Sequence, residues 1–309
     1  MKIGFIGLGT MGRGMAGNLR KAGYEMVLHD LRREAAEPFL DARVCWADTA
    51  KQVAADCDVV FTSLPKPEDV EAICYGKDGL DDGFRHGAAW FDLSTNSVEL
   101  VRSLNARLAE RGVDFLDAPV SGGPAGAASG KLAIWVGGSR DVFDRFAAPL
   151  TSMADQTRYI GGIGAGSIAK LVHNVASAAI TQVLAETMTM GVKAGLDPLD
   201  LYEAIRGGAL GRMRTFDLIA RRWLADRLDP PSFELQLQHK DVKLGMELAR
   251  SLGVPTRMCN LALDELTEAM NRGWAKRDSQ SVLQLQQERA GVKTFAIPIE
   301  QIEGIMNRT

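Results

Sequence analysis

The chain has 309 residues, 46% of them hydrophobic and 24% charged, with a formal net charge of -3. Those proportions are ordinary for a globular protein with room for two domains. They offer no basic field for nucleic acid, and no local cluster of Lys and Arg supplies one. Cys45, Cys57, Cys74 and Cys259 lie far apart, with no C-x-x-C pair and no His at metal-ligand spacing. They read as reduced, mostly buried thiols in a cytoplasmic setting, and no metal site is expected. A strand starting at the second residue leaves no room for a targeting peptide, and no apolar run reads as long enough to span a membrane.

The first element is an apolar run, Ile3–Ile6, that leads into Gly7-Leu8-Gly9-Thr10-Met11-Gly12. A helical stretch from Met11 to Ala22 follows and closes at Gly23. In a dinucleotide fold the first glycine makes the tight turn and the second admits the pyrophosphate to the backbone. The third lets helix and strand pack closely, and the helix N-terminus faces the phosphates. A second run, Met26–Leu28, ends at His29-Asp30, where an acidic ribose ligand belongs. A carboxylate there favours NAD by repelling the 2′-phosphate of NADP, although Arg32 and Arg33 next to it can soften that preference and keep NADP open.

Further strands are expected at Val59–Ser63, Ala88–Leu93, Asp114–Asp117, Leu132–Val136 and Thr157–Ile160, with helical stretches between most of them. The alternation predicts an α/β Rossmann domain over residues 1–162, a doubly wound, mostly parallel sheet with its ligand at the carboxyl ends of the strands. Leu64 and Pro65 after one strand, and Thr95 after another, are expected cofactor contacts. The small-residue segment from Asp117 to Gly130 includes Ser121, Gly122 and Gly123, whose backbone N–H groups can form a nest for a carboxylate.

From Ser167 to Ala194 apolar residues recur at helical spacing without a proline, which predicts one helix of about 28 residues. This helix (164–194 with its glycine-rich entry) opens an all-α domain over residues 163–309, and its apolar length calls for partners on several sides, as in a homodimer or homotetramer. A second helical segment is expected from Asp197-Pro198. Lys170, His173 and Asn174 stand three and four positions apart and share a helix face. A lysine so placed can work as an acid/base if burial, the helix N-terminus and an oxidised nicotinamide lower its pKa. Lys240, next to Asp241, can offer a positive charge to a substrate carboxylate.

Taken in order, Gly7–Gly12 with Met15–Leu19, Asp117–Gly123, Gly161–Asn174 and Lys240-Asp241 resemble the β-hydroxyacid dehydrogenase family. The resemblance covers most of the chain. It implies a nicotinamide-dependent oxidation of a small 3-hydroxy acid, with Lys170 as the catalytic acid/base and Asn174 beside it. It also implies Ser121, Gly122, Gly123, Asn174 and Lys240 around the substrate carboxylate, Lys240 lying close enough to serve the cofactor too.

His173 departs from the pattern, since Lys170-Leu171-Val172-His173-Asn174 is similar to 6-phosphogluconate dehydrogenases, which oxidise and decarboxylate a polyhydroxy acid. Arg212 and Arg214 stand where relatives usually carry small or apolar residues, and Arg212 is a candidate contact to a second polar group of the substrate. A reading from another class, a non-catalytic cofactor-binding scaffold, is opposed by the presence of Lys170.

Overall fold

The computed structural model describes residues 1–208 and 210–307, the side chains of 212 and 214 excepted. The chain divides into two compact units, Met1–Leu171 and Val172–Thr309.

The first unit begins with β1 (Lys2–Ile6), α1 (Gly12–Lys21), β2 (Glu25–His29), β3 (Val44–Trp46), α2 (Ala50–Asp56) and β4 (Val59–Thr62). It continues through α3 (Pro67–Tyr75), α4 (Leu80–Gly83), β5 (Ala89–Asp92), α5 (Val98–Ala109) and β6 (Asp114–Asp117). It is completed by β7 (Val120–Ser121), α6 (Gly123–Ser129), β8 (Leu132–Gly137), α7 (Arg140–Arg145), α8 (Ala147–Met153) and β9 (Ala154–Gly161). Two strands escaped the sequence reading, β3 and β7.

The sheet runs β3-β2-β1-β4-β5-β6-β8, with parallel pairing as far as β6. Strand β8 is antiparallel to β6 and β7 and parallel to β9. The order reverses between β1 and β4, so the loops after these two strands open side by side at the point where such sheets bind ligands. Strand β7 carries on the ladder of β6 along β8: Asp117 faces Gly137, the Pro119 carbonyl accepts from Trp135 N–H at 3.2 Å, and Val120 faces Ile134.

Side-chain alternation explains why these runs are strands with both faces covered. Ile3, Phe5, Val59, Phe61, Ala89 and Phe91 enter one apolar cluster, while Ile6, Val60 and Trp90 enter another on the opposite face. Burying a side chain such as Phe61 or Trp90 completely contributes about 1.5–3 kcal/mol. Helices α2 and α5 start where their sequences provide caps. Thr49 and Gln52 form a reciprocal capping box, and the Ser97 hydroxyl accepts from Leu100 N–H at 3.1 Å.

Helix α9 (Ala165–Lys193) starts in the first unit and continues into the second. By length and composition it is long and apolar enough to cross a membrane, with a mean hydropathy of 1.3 in its most apolar window. That corrects the reading that no run reaches this mark. The reason is composition, because alanines and scattered Ile, Leu, Val and Met carry the hydropathy without a continuous block of large residues. A core helix meets the same criterion.

Among the described residues, the second unit is helical apart from one isolated bridge between Glu234 and Asp278. After α9 come α10 (Pro198–Gly207), α11 (Arg214–Ile219), α12 (Leu235–Ser251), α13 (Arg257–Asn271), α14 (Leu283–Ala290) and α15 (Ile299–Met306). Helix α10 starts at the proline expected from sequence, with the Asp197 carboxylate accepting from Leu199 and Asp200 N–H. Buried Asp278 fixes the entry to α12, accepting from Ser232 N–H and Oγ and pairing with Arg222 at 2.8 Å.

Candidate active site

The glycine loop has the shape its sequence requires. Gly7 has φ of +92°, and a Cβ there would lie 2.3 Å from the Ser63 carbonyl oxygen. Gly12 is tighter still, since its Cβ would come within 1.8 Å of the Gly7 carbonyl oxygen. A Cβ on Gly9 would meet nothing within 4 Å. Two glycines therefore serve the turn and the helix–strand approach, while the middle one leaves an open cradle. Thr10 is exposed beside it, Met11 is half-buried and Leu8 is packed in the core. No side chain caps the start of α1, so the dinucleotide phosphates fit there.

Asp30 faces this loop. Its Oδ2 accepts from Leu8 N–H at 2.7 Å and its Oδ1 from Arg32 N–H at 2.9 Å. These bonds hold the carboxylate at the carboxyl end of β2 and tie it to the glycine loop.

Leu64, Pro65 and Thr95 lie on the loops after β4 and β5, and a buried carboxylate that the sequence reading missed joins those loops. Asp92 Oδ1 accepts from Thr62 Oγ1 at 2.7 Å, Ser94 Oγ at 2.7 Å and Ser94 N–H at 3.2 Å. Its other oxygen accepts from Asn96. The same Ser94 hydroxyl accepts from Leu64 N–H at 2.9 Å, and Trp90 Nε1 donates to Thr62 Oγ1 at 2.8 Å. Burial pushes the Asp92 carboxyl above its ordinary pKa, against the hydrogen bonds from Ser94, Thr62 and Asn96. An acid closing a fully buried strand, Trp-Phe-Asp, was the available signal.

Ser121 is half-buried at the end of β7, followed by exposed Gly122 and Gly123 with φ of +131° and +63°. A Cβ on Gly123 would meet nothing within 4 Å. Positive φ at both positions is a backbone form that glycine adopts without steric cost. Lys170 is half-buried in the second turn of α9. The start of that helix is bonded to Asp117, a second buried carboxylate missed from sequence as a functional group. Asp117 accepts from Gly164 N–H at 2.8 Å and Ser167 N–H at 2.6 Å. Burial raises its pKa, and those two backbone donors oppose the rise.

In the second unit the structure brings His173, Asn174 and Lys240 onto one chain of contacts. His173 is exposed, with Nδ1 2.9 Å from Asn174 Oδ1. Asn174 Nδ2 donates to Asp241 Oδ2 at 2.6 Å, and Asp241 Oδ1 pairs with the Lys240 ammonium at 3.0 Å. The Arg212 side chain lies outside the described residues. A cavity of about 440 Å³ in this unit, bounded by Pro198, Leu199, Phe295 and Ile297, is separate from these four residues. No group of three or more His, Cys, Asp or Glu able to hold a metal occurs among the described residues.

Residues 2–161 match the family model for the NAD binding domain of 6-phosphogluconate dehydrogenase. Residues 164–286 match the model for the NAD-binding region of NADP-dependent 3-hydroxyisobutyrate dehydrogenase. The chain is 34% identical over 294 residues to 2-(hydroxymethyl)glutarate dehydrogenase of Eubacterium barkeri, covering 94% of this chain and 97% of that one. The chain belongs to the β-hydroxyacid dehydrogenase family. The NAD-dependent L-serine dehydrogenase of Pseudomonas aeruginosa is 35% identical over 92% of this chain and 97% of its own. The crystal structure of 3-hydroxyisobutyrate dehydrogenase from Salmonella typhimurium superposes with a TM-score of 0.83 at 28% identity, covering 92% and 99% of the two chains. Membership makes this chain an NAD(P)-dependent oxidoreductase acting on CH–OH, and its fold is the Rossmann domain plus helical domain expected from sequence.

Proposed function

We propose that the protein oxidises a small 3-hydroxy acid with NAD, transferring hydride from the β-carbon while Lys170 takes the hydroxyl proton. The observation that carries this reading is the placement of Lys170. It rides on a helix start bonded to Asp117, at the end of the strand that leads into Ser121-Gly122-Gly123. Three relatives support the substrate class by name. 2-(Hydroxymethyl)glutarate, L-serine and 3-hydroxyisobutyrate all carry a CH2OH group on the carbon next to a carboxylate.

The bound nicotinamide supplies the hydride acceptor. The Ser121 hydroxyl and the Gly122 and Gly123 N–H groups hold the substrate carboxylate. Neutral Lys170 accepts the hydroxyl proton during oxidation, and its ammonium returns it during reduction. Asn174 in the second unit is held by Asp241. The fixed Asp30 carboxylate supports NAD over NADP, because it would face a 2′-phosphate with like charge. Exposed Val172, Val183 and Met190 on α9 support a homodimer or homotetramer that covers them.

The test is a panel of 2-substituted 3-hydroxypropanoates assayed with NAD and NADP, for the parent enzyme and Lys170→Ala. Expected is turnover with NAD, a fall in kcat of about 10²–10⁴-fold in Lys170→Ala, and unchanged NADH binding by fluorescence. An active Lys170→Ala enzyme would remove the assigned role. His173, in contact with Asn174, favours a second reading as a decarboxylating polyhydroxy-acid dehydrogenase. Carbon dioxide released in step with NADH would decide for it.

A further inference from the structure

We propose that Asp117 is a positioning residue for the proton-transfer amine, fixing Lys170 relative to the segment that receives the substrate carboxylate. The inference rests on the reading of Lys170 given above.

Asp117 is the last residue of β6 and is buried. Its carboxylate reaches across about fifty positions of sequence to the start of α9. One oxygen accepts from Gly164 N–H and the other from Ser167 N–H. These donors belong to the helix end whose first N–H groups have no intrahelical acceptor, and an anion is favoured there.

The close approach is built in on both sides. A Cβ on Gly137 would lie 2.5 Å from Asp117 Oδ1 and 2.9 Å from Ala165 N. A Cβ on Gly166 would lie 2.3 Å from the Trp135 carbonyl oxygen and 3.0 Å from Asp117 Oδ2. Glycines at 137 and 166 thus let the helix start sit directly against the ends of β6 and β8. Lys170 follows Ser167 by three residues and stands one turn along on the same face. In the other direction, β6 runs in register into β7, which delivers Ser121 and the two glycines. One carboxylate therefore sets the spacing between amine and nest. Displacing a reacting group by about 1 Å can lower turnover by about 10²-fold.

The test is a double-mutant cycle with a freely diffusing base. Lys170→Ala is assayed with ethylamine as the replacement proton acceptor, with and without Asp117→Asn. A positioning role predicts that Asp117→Asn lowers kcat tenfold or more when Lys170 is present, and less than twofold in the ethylamine-supported Lys170→Ala enzyme. NADH affinity should stay within twofold throughout. Equal losses in both backgrounds, or no loss in either, would overturn the inference. Full activity of Lys170→Ala without amine would instead sink the underlying reading of Lys170.

If Asp117→Asn does not fold, Asp117→Glu replaces it, since a carboxylate one methylene longer keeps the acceptors but shifts the helix start. If ethylamine restores nothing, the NADH affinity of the Asp117 variant decides. A loss of kcat with unchanged NADH affinity supports positioning, and a parallel loss of both overturns it.

Discussion

The side-chain amide of Asn174 donates to the carboxylate of Asp241 at 2.6 Å, joining α9 to α12 across 67 positions of sequence. Asp241 is buried and divides its two oxygens between that amide and the Lys240 ammonium. Replacing it by Ala removes a partner from both groups at once. A single hydrogen bond to a charged group contributes about 1.5–3 kcal/mol, so loss of the Asn174 anchor alone should raise the KM for the hydroxy acid roughly 10–100-fold in Asp241→Ala. Steady-state kinetics check this, and an unchanged KM would separate these residues from substrate binding.

The two outer glycines of the nucleotide loop and the middle one should fail in different ways. Gly12→Ala drives a methyl into the Gly7 carbonyl and should lower the melting temperature by several degrees. Gly9→Ala meets no protein atom and should melt like the parent while its NADH dissociation constant rises at least tenfold. Calorimetry and fluorescence titration read the two effects separately. Normal NADH binding by Gly9→Ala would place the phosphates elsewhere.

Thiol chemistry should follow burial. Burial pushes the Cys57 and Cys74 thiols up to about 12. At pH 8 each is then thiolate in about one molecule in 10⁴, and both are shielded from reagent. Cys45 is exposed and Cys259 half-buried. Ellman's reagent at pH 8 should modify Cys45 first and leave Cys57 and Cys74 unmodified until denaturant is added. Mass spectrometry of the labelled peptides identifies the order.

His239 on α12 should add a slope to acid stability. Burial, followed by the charge of Lys243, holds its pKa below the ordinary histidine value, and its Nε2 lies 3.1 Å from Thr267 Oγ1. The folded protein therefore takes up this proton less readily than the unfolded chain does. The contribution is complete above about pH 6.5 and is lost as pH falls below that value. Between pH 7.5 and 5.5 the urea midpoint should drop less in His239→Gln than in the parent. Equal slopes would assign the acid loss to other groups.

Much of the first unit could be read from its residues because strand and helix periods are strong there. The run Ile3–Ile6 widened by one residue to β1, and Asp114–Asp117 is β6 as read. Strand β3 escaped because Val-Cys-Trp is only three residues long and lies beside charged Arg43. Strand β7 escaped because two residues in a glycine- and alanine-rich segment carry no period. Among the candidate site residues, the glycine loop, Asp30 and Lys170 are legible by spacing. Asp92 and Asp117 do not, because their partners come from distant backbone and hydroxyl groups that only folding assembles.

The in-register passage from β6 to β7 has a consequence for how this enzyme can change. Ala118 and Pro119 form a linker of even length, so Ser121 keeps the same side of the sheet that β6 established. Removing or adding one residue would reverse that parity and turn the serine hydroxyl to the opposite surface. Variation at this bend is therefore confined to side-chain identity, and its length is fixed by geometry.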